Sequence, residues 1–365
     1  MAGKIRLGFV GANLHANWSP RSHFPALAAS ADVELTAVCT TRRESAAEAQ
    51  EQLGARFAFH DFREMVASPE IDAVAVVVRV PSHYEPTKAA LEAGKHVYTE
   101  WPLGRTTAEA EELAALARAK GVRTVVGLQA SVDPALMYMK EQIAAGYVGE
   151  IMACRVSVVR EGVLQRRSGR TWQRDASLGA NTLTIANGHT IDALCFVAGD
   201  FSRVAAVVST QAKQWYESDT QLWVDVTAPD HVLVSGRLRN GAVASVHVAA
   251  VPWAGSGYQM EIHGRDGTLV ASGEDTPQFC HTMRLRGARG SNALDDLPIP
   301  DRFVYVPAAM PRGDAFNVGQ LYHLFAEAIR GRENHAPTFD HAVRLHRLID
   351  TIKEASDQGR ELSVD

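Results

Sequence analysis

Cysteine is scarce in this 365-residue sequence, and Cys39, Cys154, Cys195 and Cys280 stand far apart without a C-x-x-C pair. Zinc sites usually need cysteine and histidine ligands at short, fixed spacings. The 14 histidines likewise form no H-E-x-x-H or H-x-H pair. We therefore predict that the chain has no metal site and that its thiols stay reduced.

Long apolar runs and an excess of basic residues are also missing. There is no stretch of about 18 apolar residues and no secretory leader pattern, so we expect a cytoplasmic protein without a membrane span. The formal net charge is −5, which gives no positive field for a phosphate backbone, and we expect no nucleic-acid partner. One basic run has two interpretations, a solvated face or a loop near a small anionic ligand. It comprises Arg166, Arg167, Arg170 and Arg174.

Length and composition predict two domains. Domains of about 100 to 200 residues are usual, and 46% hydrophobic with 22% charged residues is typical of globular chains. We place one domain at 1–127 and the other at 128–365. The first half alternates strands with helices, as in a Rossmann-like, doubly wound parallel sheet. Its predicted strands are 5–10, 33–39, 71–80, 96–99 and 122–127, and its predicted helices are 46–53, 83–93 and 107–120.

The second half has a different pattern. A predicted helix at 135–145 is followed by alternating strand-like runs at 156–160, 203–210, 231–238, 242–250 and 258–264. The Asn240-Gly241 pair between two of these runs is a hairpin signal. Two more helices are predicted at 318–329 and 341–355. Together these patterns predict an α+β domain with a large open, mostly antiparallel sheet.

The turn after the first strand has the position of a dinucleotide-binding fingerprint. Residues 10–16 read VGANLHA, in which Gly11 makes the tight turn. Ala16 is expected to replace the third glycine by letting a helix approach the strand. Asn13 stands where a second glycine usually admits the pyrophosphate, and asparagine tolerates left-handed backbone geometry. By itself, this degenerate fingerprint also fits an ordinary strand-to-helix corner.

The end of the second strand bears on the choice of cofactor. An acidic residue that binds the ribose hydroxyls of NAD is usual there, but this sequence has Thr40, Thr41, Arg42 and Arg43. Hydroxyl and guanidinium groups suit a 2′-phosphate instead. We therefore predict NADP as the preferred cofactor and NAD as the alternative. Solvent exposure of both arginines at a helix start is the other interpretation.

Five segments give the chain a wider resemblance. They are VPSHYE at 80–85, TEWPLG at 99–104, GYVGEI at 146–151, GHTID at 188–192 and PTFDHA at 337–342. In order and spacing they resemble the Gfo/Idh/MocA oxidoreductases along essentially the whole chain. The resemblance implies a dinucleotide-binding domain, a substrate domain with a large open sheet, and a homodimer or homotetramer packed through that sheet.

Two positions depart from the family's pattern. Its Glu-Lys-Pro motif places a lysine beside the nicotinamide, where this chain has Trp101. The aspartate usual four residues before the family's histidine is Ile185. Both changes resemble the branch that contains the fungal galactose-gene repressors, which bind the dinucleotide and act as regulators. An indole offers one N–H donor and a flat face, but no positive charge.

The resemblance also implies roles for individual residues. The implied cofactor contacts are Gly11, Asn13 and Leu14 at the pyrophosphate, Thr40, Thr41 and Arg42 at the adenosine ribose, Pro81 and His83 at the middle of the cofactor, and Glu100, Trp101 and Gln129 at the nicotinamide side. The implied substrate contacts are Trp101, Trp172, Asn187 and His189. For Trp172, core packing is the alternative interpretation.

His189 is the candidate catalytic base, and Asp192 follows three residues later on the same helical face, where it can orient the ring. An ordinary imidazole titrates near roughly pH 6.5, so it accepts a hydroxyl proton at neutral pH while hydride leaves to a nicotinamide. The sequence therefore predicts an NAD(P)-dependent dehydrogenase of a sugar, polyol or related carbohydrate-like molecule. The alternatives are a non-catalytic dinucleotide-binding regulator and a redox enzyme that cleaves glycosides through transient oxidation. A capping or packing role for His189 also stays open.

Overall fold

The computed structural model describes residues 3–279 and 283–364, so Cys280 lies outside the described residues. The chain forms two compact units. The first unit consists of Met1–Val132 with Val304–Arg344, and the second of Asp133–Phe303 with Leu345–Asp365. Two contiguous domains, 1–127 and 128–365, were expected. The chain instead returns to the first unit after Phe303.

Helices and strands alternate at the start of the chain, and strands dominate its middle. The helices are α1 His23–Ala28, α2 Arg43–Leu53, α3 Phe62–Ala67, α4 Tyr84–Glu92, α5 Thr107–Lys120, α6 Pro134–Ala144, α7 Asn187–Ala198, α8 Asp314–Ile329 and α9 Phe339–Gln358. The strands are β1 Ile5–Val10, β2 Val33–Cys39, β3 Phe57–Phe59, β4 Ala73–Val76, β5 His96–Glu100, β6 Thr124–Gly127, β7 Ile151–Arg160, β8 Gln165–Arg166, β9 Phe201–Ser209, β10 Gln214–Glu217, β11 Leu222–Asp225, β12 His231–Leu238, β13 Val243–Ala250, β14 Gly257–Gly264, β15 Gly267–Gly273, β16 Arg284–Arg289, β17 Asp295–Asp296 and β18 Leu362–Ser363.

The sheet of the first unit is parallel and has the order β3-β2-β1-β4-β5-β6. This is the doubly wound order of a Rossmann fold, and the predicted fold class is confirmed. The direction of winding reverses between β1 and β4. Ligands of such sheets bind at the carboxyl ends of the strands around that reversal.

Side chains of β1 show that helices cover both faces of this sheet. Leu7 and Phe9 are fully buried in a core cluster that includes Leu321 and Phe325 of α8. Gly8, which points the other way, has no side chain, and a Cβ there would lie 2.9 Å from Met65 Sδ of α3. Because successive side chains of a strand alternate, α8 and α3 lie on opposite faces.

Helix α8 explains why the predicted domain boundary is incomplete. Its side chains are buried along almost the whole helix, and α8 packs on α1 and on strands of the first sheet. A helix with so wide an apolar surface must be covered on several sides. The sequence patterns placed α8 in the predicted second domain, 128–365. The order of elements along the chain does not show which sheet a helix packs on.

The second unit contains a nine-stranded sheet with the order β17-β16-β15-β14-β7-β13-β12-β9-β18. Only the β7–β13 pair is parallel among its described pairs, so the predicted large, mostly antiparallel sheet is confirmed. The predicted hairpin joins β12 to β13, with Gly241 at a φ of 93°. The sequence did not predict β15, which pairs with β14, or β16, which pairs with β15; their strand structure depends on this pairing more than on propensity.

One face of the nine-stranded sheet carries exposed apolar side chains. On β12, Val232 and Val234 are fully buried, whereas Leu233 between them is 48% exposed. Val207 on β9, the register partner of Leu233, and Val243 on β13 are exposed as well. The alternation that predicted these strands thus separates a core face from an open face.

The described ranges, 3–279 and 283–364, bear on the expectations about a membrane span and a metal site. Within them, no helix has the length and apolar character needed to cross a membrane. The same residues contain no group of three or more histidine, cysteine, aspartate or glutamate side chains that could hold a metal ion.

We expect His346 on α9 to make folding stability depend on pH. Burial lowers the pKa of His346 from 6.5 to about 4, so the unfolded chain binds a proton that the folded chain excludes. Stability is therefore retained above pH 6.5 and lost as pH falls toward 4. Urea unfolding at pH 7 and pH 5 should show that His346→Leu removes about 2 kcal/mol of this loss.

The control is His15→Ala, because the His15 side chain is 84% exposed. It should leave the pH dependence of the parent protein unchanged. An equal loss of stability between pH 7 and pH 5 in the parent and in His346→Leu would contradict the prediction.

Candidate functional site

The predicted cofactor residues of the first unit come together at the carboxyl ends of its strands. Gly11 follows β1, Thr41 follows β2, Pro81 follows β4, Trp101 follows β5 and Gln129 follows β6. The carboxyl ends of parallel strands share one edge of the sheet, which is where dinucleotides bind in this topology. We call this part of the first unit the switch edge.

Gly11 forms the tight turn predicted for it. Its φ is +95°, and a Cβ at this position would lie 2.1 Å from the carbonyl oxygen of Val77, just beyond β4. Its N–H donates to the carbonyl oxygen of Cys39 at 3.0 Å. Only glycine tolerates both this backbone conformation and this close approach. The turn therefore has the backbone geometry that a dinucleotide-binding loop requires.

The segment after Gly11 differs from the expected fingerprint. Asn13 is exposed and its Oδ1 accepts the N–H of His15 at 2.9 Å, while Leu14 is half-buried against the core. Ala16 lies in a loop, because α1 begins only at His23. The expectation that Ala16 lets a helix approach the strand is wrong. Pro20 lies in the turn before α1. Because proline has no backbone N–H, it cannot donate a hydrogen bond inside a helix that begins earlier.

After β2, one side chain is hydrogen-bonded to the protein and the next three are exposed. Thr40 Oγ1 donates to the carbonyl oxygen of Arg42 at 2.9 Å and lies 2.7 Å from Ser45 Oγ, so it holds the start of α2. Thr41, Arg42 and Arg43 are exposed. Neither arginine has an ion-pair partner among the residues that the structure describes. Two such guanidinium groups fit the extra phosphate of NADP.

The segment predicted as a strand at 71–80 ends as β4 at Val76, and Val80–Ser82 form a 3₁₀ turn that exposes Pro81. His83 follows this turn and is buried. Its Nδ1 lies 2.7 Å from the carbonyl oxygen of Pro102, and its Nε2 lies 3.0 Å from that of Val78. Burial lowers the pKa of His83, although both carbonyls act to raise it. The ring therefore connects the loops after β4 and β5.

Glu100 is a buried carboxylate with three donors around it. Oε1 accepts from His23 Nε2 at 2.9 Å and from the Tyr98 hydroxyl at 3.0 Å, and Gln129 Nε2 donates to both carboxylate oxygens at 3.1 and 3.2 Å. Burial acts to raise the pKa of Glu100, but these donors and the charge of His23 hold it below its usual value. A Cβ at Gly127 would lie 2.6 Å from Oε1, so that position must be glycine.

Two further residues complete the switch edge. Trp101 is 4% exposed. Gln129 is 1% exposed, and its Oε1 is a buried acceptor for which the described part of the chain provides no partner. Because Glu100 holds the amide nitrogen, the amide oxygen of Gln129 has a fixed direction. The glycine turn, the exposed arginines and this unpartnered acceptor together fit a bound dinucleotide.

The candidate catalytic residues lie on α7 in the second unit. A π-helical turn, Thr182–Ala186, precedes this helix, and such turns are frequent at functional sites. His189 is 4% exposed and Asp192 is 2% exposed. Asn187 is fully buried; its Nδ2 donates to the carbonyl oxygen of Leu183 at 3.3 Å, and its Oδ1 has no partner.

The structure adds Lys140 of α6 to the surroundings of Asp192. Burial lowers the pKa of Lys140, while the charge of Asp192 acts to raise it, so the two groups attract one another. No sequence pattern indicates this pair, because its two residues lie on different helices. Asn187 and His189 are two positions apart, which on a regular helix is a rotation of about 200°. Their side chains therefore lie on nearly opposite faces of α7. Trp172 lies in a 3₁₀ turn and is half-buried, which does not match full core packing.

Both units of the chain are similar to known proteins. A family model described as the oxidoreductase family with an NAD-binding Rossmann fold (Gfo/Idh/MocA) matches residues 5–128, and the model of the Gal80p C-terminal domain matches residues 134–273. A 1,5-anhydro-D-fructose reductase from Ensifer adhaerens is 31% identical over 72% of this chain and 75% of its own length. A levoglucosan dehydrogenase from Pseudarthrobacter phenanthrenivorans is 28% identical over 86% of this chain and 85% of its own.

One solved structure extends the similarity to the fold of the whole chain. It is a super-repressor mutant of Gal80p from Saccharomyces cerevisiae, with a TM-score of 0.88. The match covers 99% of this chain and 98% of that chain at 24% sequence identity. At this identity the likeness establishes a shared fold.

We expect Glu100→Gln to destabilise the first unit by about 2–4 kcal/mol, because a buried donor network loses its charged acceptor and gains a competing amide donor. The measurement is urea unfolding at pH 7. Glu85→Gln is the matched control, since the Glu85 side chain is 68% exposed and should contribute less than about 0.5 kcal/mol. A loss as small as that of the control would show that the network does not depend on the carboxylate.

Proposed function

This chain belongs to the Gfo/Idh/MocA family of oxidoreductases with an NAD-binding Rossmann fold, and we propose that it is an NAD(P)-dependent dehydrogenase of a sugar, polyol or related hydroxylated molecule. Two relatives support this substrate class, since they are named a 1,5-anhydro-D-fructose reductase and a levoglucosan dehydrogenase. The observation that carries the proposal is the buried imidazole of His189 on α7, three residues before the buried carboxylate of Asp192.

In the proposed reaction His189 acts as the base. The carbinol C–H bond breaks, the hydroxyl proton passes to His189, and a C=O bond forms. A bound nicotinamide supplies the hydride acceptor. Asp192 stabilises the charge that the imidazole gains, and its own charge also acts on Lys140 of α6. In the direction of reduction, the protonated ring of His189 returns the proton to the alkoxide oxygen.

The proposal assigns cofactor binding to the switch edge. Gly11 would let the backbone approach the pyrophosphate, and Gln129, whose amide oxygen has no partner among the described residues, would lie at the nicotinamide side. Glu100 and His83 act as positioning residues, because their polar atoms already bind protein groups. Arg42 and Arg43 are free to bind a 2′-phosphate, so we propose NADP as the preferred cofactor and NAD as the second.

A second function is a non-catalytic, dinucleotide-dependent regulator. It is favoured by Trp101, which stands where dehydrogenases of the family have a lysine, and by the match to the Gal80p C-terminal domain. Loss of one electrostatic group typically lowers a rate by about 10²–10³, so Trp101 is compatible with slow catalysis as well. Turnover separates the two functions.

Other properties stay predictions. The exposed apolar side chains on the open face of the nine-stranded sheet, among them Leu233 and Val207, favour a homodimer or homotetramer. The cytoplasmic location and the absence of a nucleic-acid partner rest on composition and charge alone.

His189→Ala should separate binding from chemistry. Reduction of NADP and NAD is followed by absorbance with a panel of sugars and polyols. We expect turnover to fall by about 10²–10⁴ while the dissociation constant of the cofactor changes less than about threefold. The matched control is His263→Ala, which removes a histidine on β14.

Each outcome of this experiment has a clear meaning. Turnover by His189→Ala at the rate of the parent would exclude His189 as the base. If the parent binds the cofactor tightly but turns over no member of the panel, the regulator is favoured and the dehydrogenase is not.

Arg42→Asp should change the cofactor preference. We expect the parent to bind NADP more tightly than NAD, and the variant to reverse this order because a carboxylate repels the 2′-phosphate and accepts ribose hydroxyls. Calorimetric titration of both cofactors measures the preference. Arg63→Asp, on α3, is the control for a change of net charge. Equal affinities in the parent that the substitution leaves unchanged would contradict the assignment.

A further inference from the structure

The basic run of the second unit contains one arginine that the structure sets apart. Arg167, Arg170 and Arg174 are exposed, whereas Arg166 is half-buried and its Nε is fully covered. Arg166 lies on β8, which pairs in parallel with β10 in a three-stranded sheet of β11, β10 and β8. A solvated face therefore does not describe Arg166.

Arg166 packs on an aromatic ring and uses little of its hydrogen-bonding capacity. Its guanidinium carbon lies 3.8 Å from the ring centre of Trp215, which is 3% exposed. Nη1 donates to Gln173 Oε1 at 3.0 Å. Arg166 Nε and Trp215 Nε1 are buried donors without a partner among the described residues. A guanidinium carries five N–H donors, so the terminal groups of Arg166 keep donors for an incoming acceptor.

Among the described residues, the charge of Arg166 has no counter-ion. Within residues 3–279 and 283–364, no carboxylate lies in ion-pair range of its guanidinium. Burial lowers the pKa of Arg166 to about 10, and the positive charges of Arg170 and Arg160 lower it further. Arg160 is itself paired with Asp275 at 2.7 Å. Arg166 is thus a cation at neutral pH, and the charges of Arg170 and Arg160 act against it.

A buried charge without a partner is costly, and proteins usually pair it or use it to bind a ligand of opposite charge. Three observations thus favour an anion at this position: the missing carboxylate, the unused donors and the neighbouring positive charges. The indole of Trp215 keeps the guanidinium plane fixed, which reduces the ordering required on binding.

We propose that Arg166, held on Trp215 and in the positive field of Arg170, binds the anionic group of a small molecule, a carboxylate or a phosphate. Guanidinium groups recognise both through paired N–H donors. This site is independent of the roles proposed for His189 and for the switch edge. It corresponds to the second interpretation of the basic run, a loop near a small anionic ligand.

The test uses the full chain and two probes, inorganic phosphate and D-gluconate, each at constant ionic strength set with chloride. At least one probe should raise the thermal unfolding temperature of the parent in a saturable way. Arg166→Met keeps an apolar stem over Trp215 and removes the unpaired charge, so it should fold at least as stably. In this variant the effect of the probe should disappear, and the dissociation constant should rise at least about tenfold.

Two further variants make the test specific. Arg167→Ala removes the neighbouring exposed cation and should bind the probe like the parent. Arg166→Lys keeps the charge without the paired donors and should bind with intermediate affinity. A response to phosphate alone would identify a phosphate ester as the ligand class, and a response to gluconate alone a carboxylate. The proposal is overturned if neither probe stabilises the parent. It is also overturned if every probe that stabilises the parent stabilises Arg166→Met to the same extent.

Discussion

The buried carboxylate of Glu100 constrains the whole switch edge of the first unit. A carboxylate withdrawn from water must be surrounded by donors, and here they come from His23 on α1, Tyr98 on β5 and Gln129 after β6. His23 Nδ1 also lies 2.8 Å from the hydroxyl of Tyr322 on α8, 299 positions later. Satisfying one charge therefore fixes where α1, α8 and the loop after β6 meet the end of β5.

This constraint divides the cofactor residues into two groups. Glu100, His83 and Thr40 bind other protein groups and hold the loops after β5, β4 and β2 in place. Arg42 and the amide oxygen of Gln129 keep free polar atoms for a ligand. The family resemblance implied that all of them are cofactor contacts. A sequence motif specifies which residue is present, but not which of its atoms are already hydrogen-bonded to other protein groups. The structure supports a site in which the first group positions the second.

Features of both units bear on the function of the chain. The buried His189 on α7 and the match of the first unit to NAD-binding oxidoreductases favour hydride transfer. Trp101 and the similarity to the Gal80p C-terminal domain favour regulation. The same Rossmann fold serves both purposes, since chemistry depends on the groups placed in a site and not on the fold. The proposed anion site at Arg166 on Trp215 is a further feature of the second unit.

Local patterns in the sequence determined the elements whose ends are fixed by local contacts. Helix α5 was predicted with its observed bounds, because Thr106 caps its start and Gly121 ends it in a left-handed conformation. Strand β12 was also predicted with its observed bounds, since its buried and exposed positions alternate up to the turn that precedes β13. The glycine turn at Gly11 and the parallel sheet follow from the same kind of information.

Only the tertiary structure decided which distant segments share a core and which polar groups find partners. The return of Val304–Arg344 to the first unit, the pair of His23 with Tyr322, the attraction between Asp192 and Lys140, and the burial of Arg166 all depend on contacts across the chain. Hydrophobic periodicity shows that a face will be buried but not what will cover it. Charge alone likewise does not show whether an arginine will meet water, a carboxylate or an aromatic ring, because the environment of a side chain is set by the elements that fold around it.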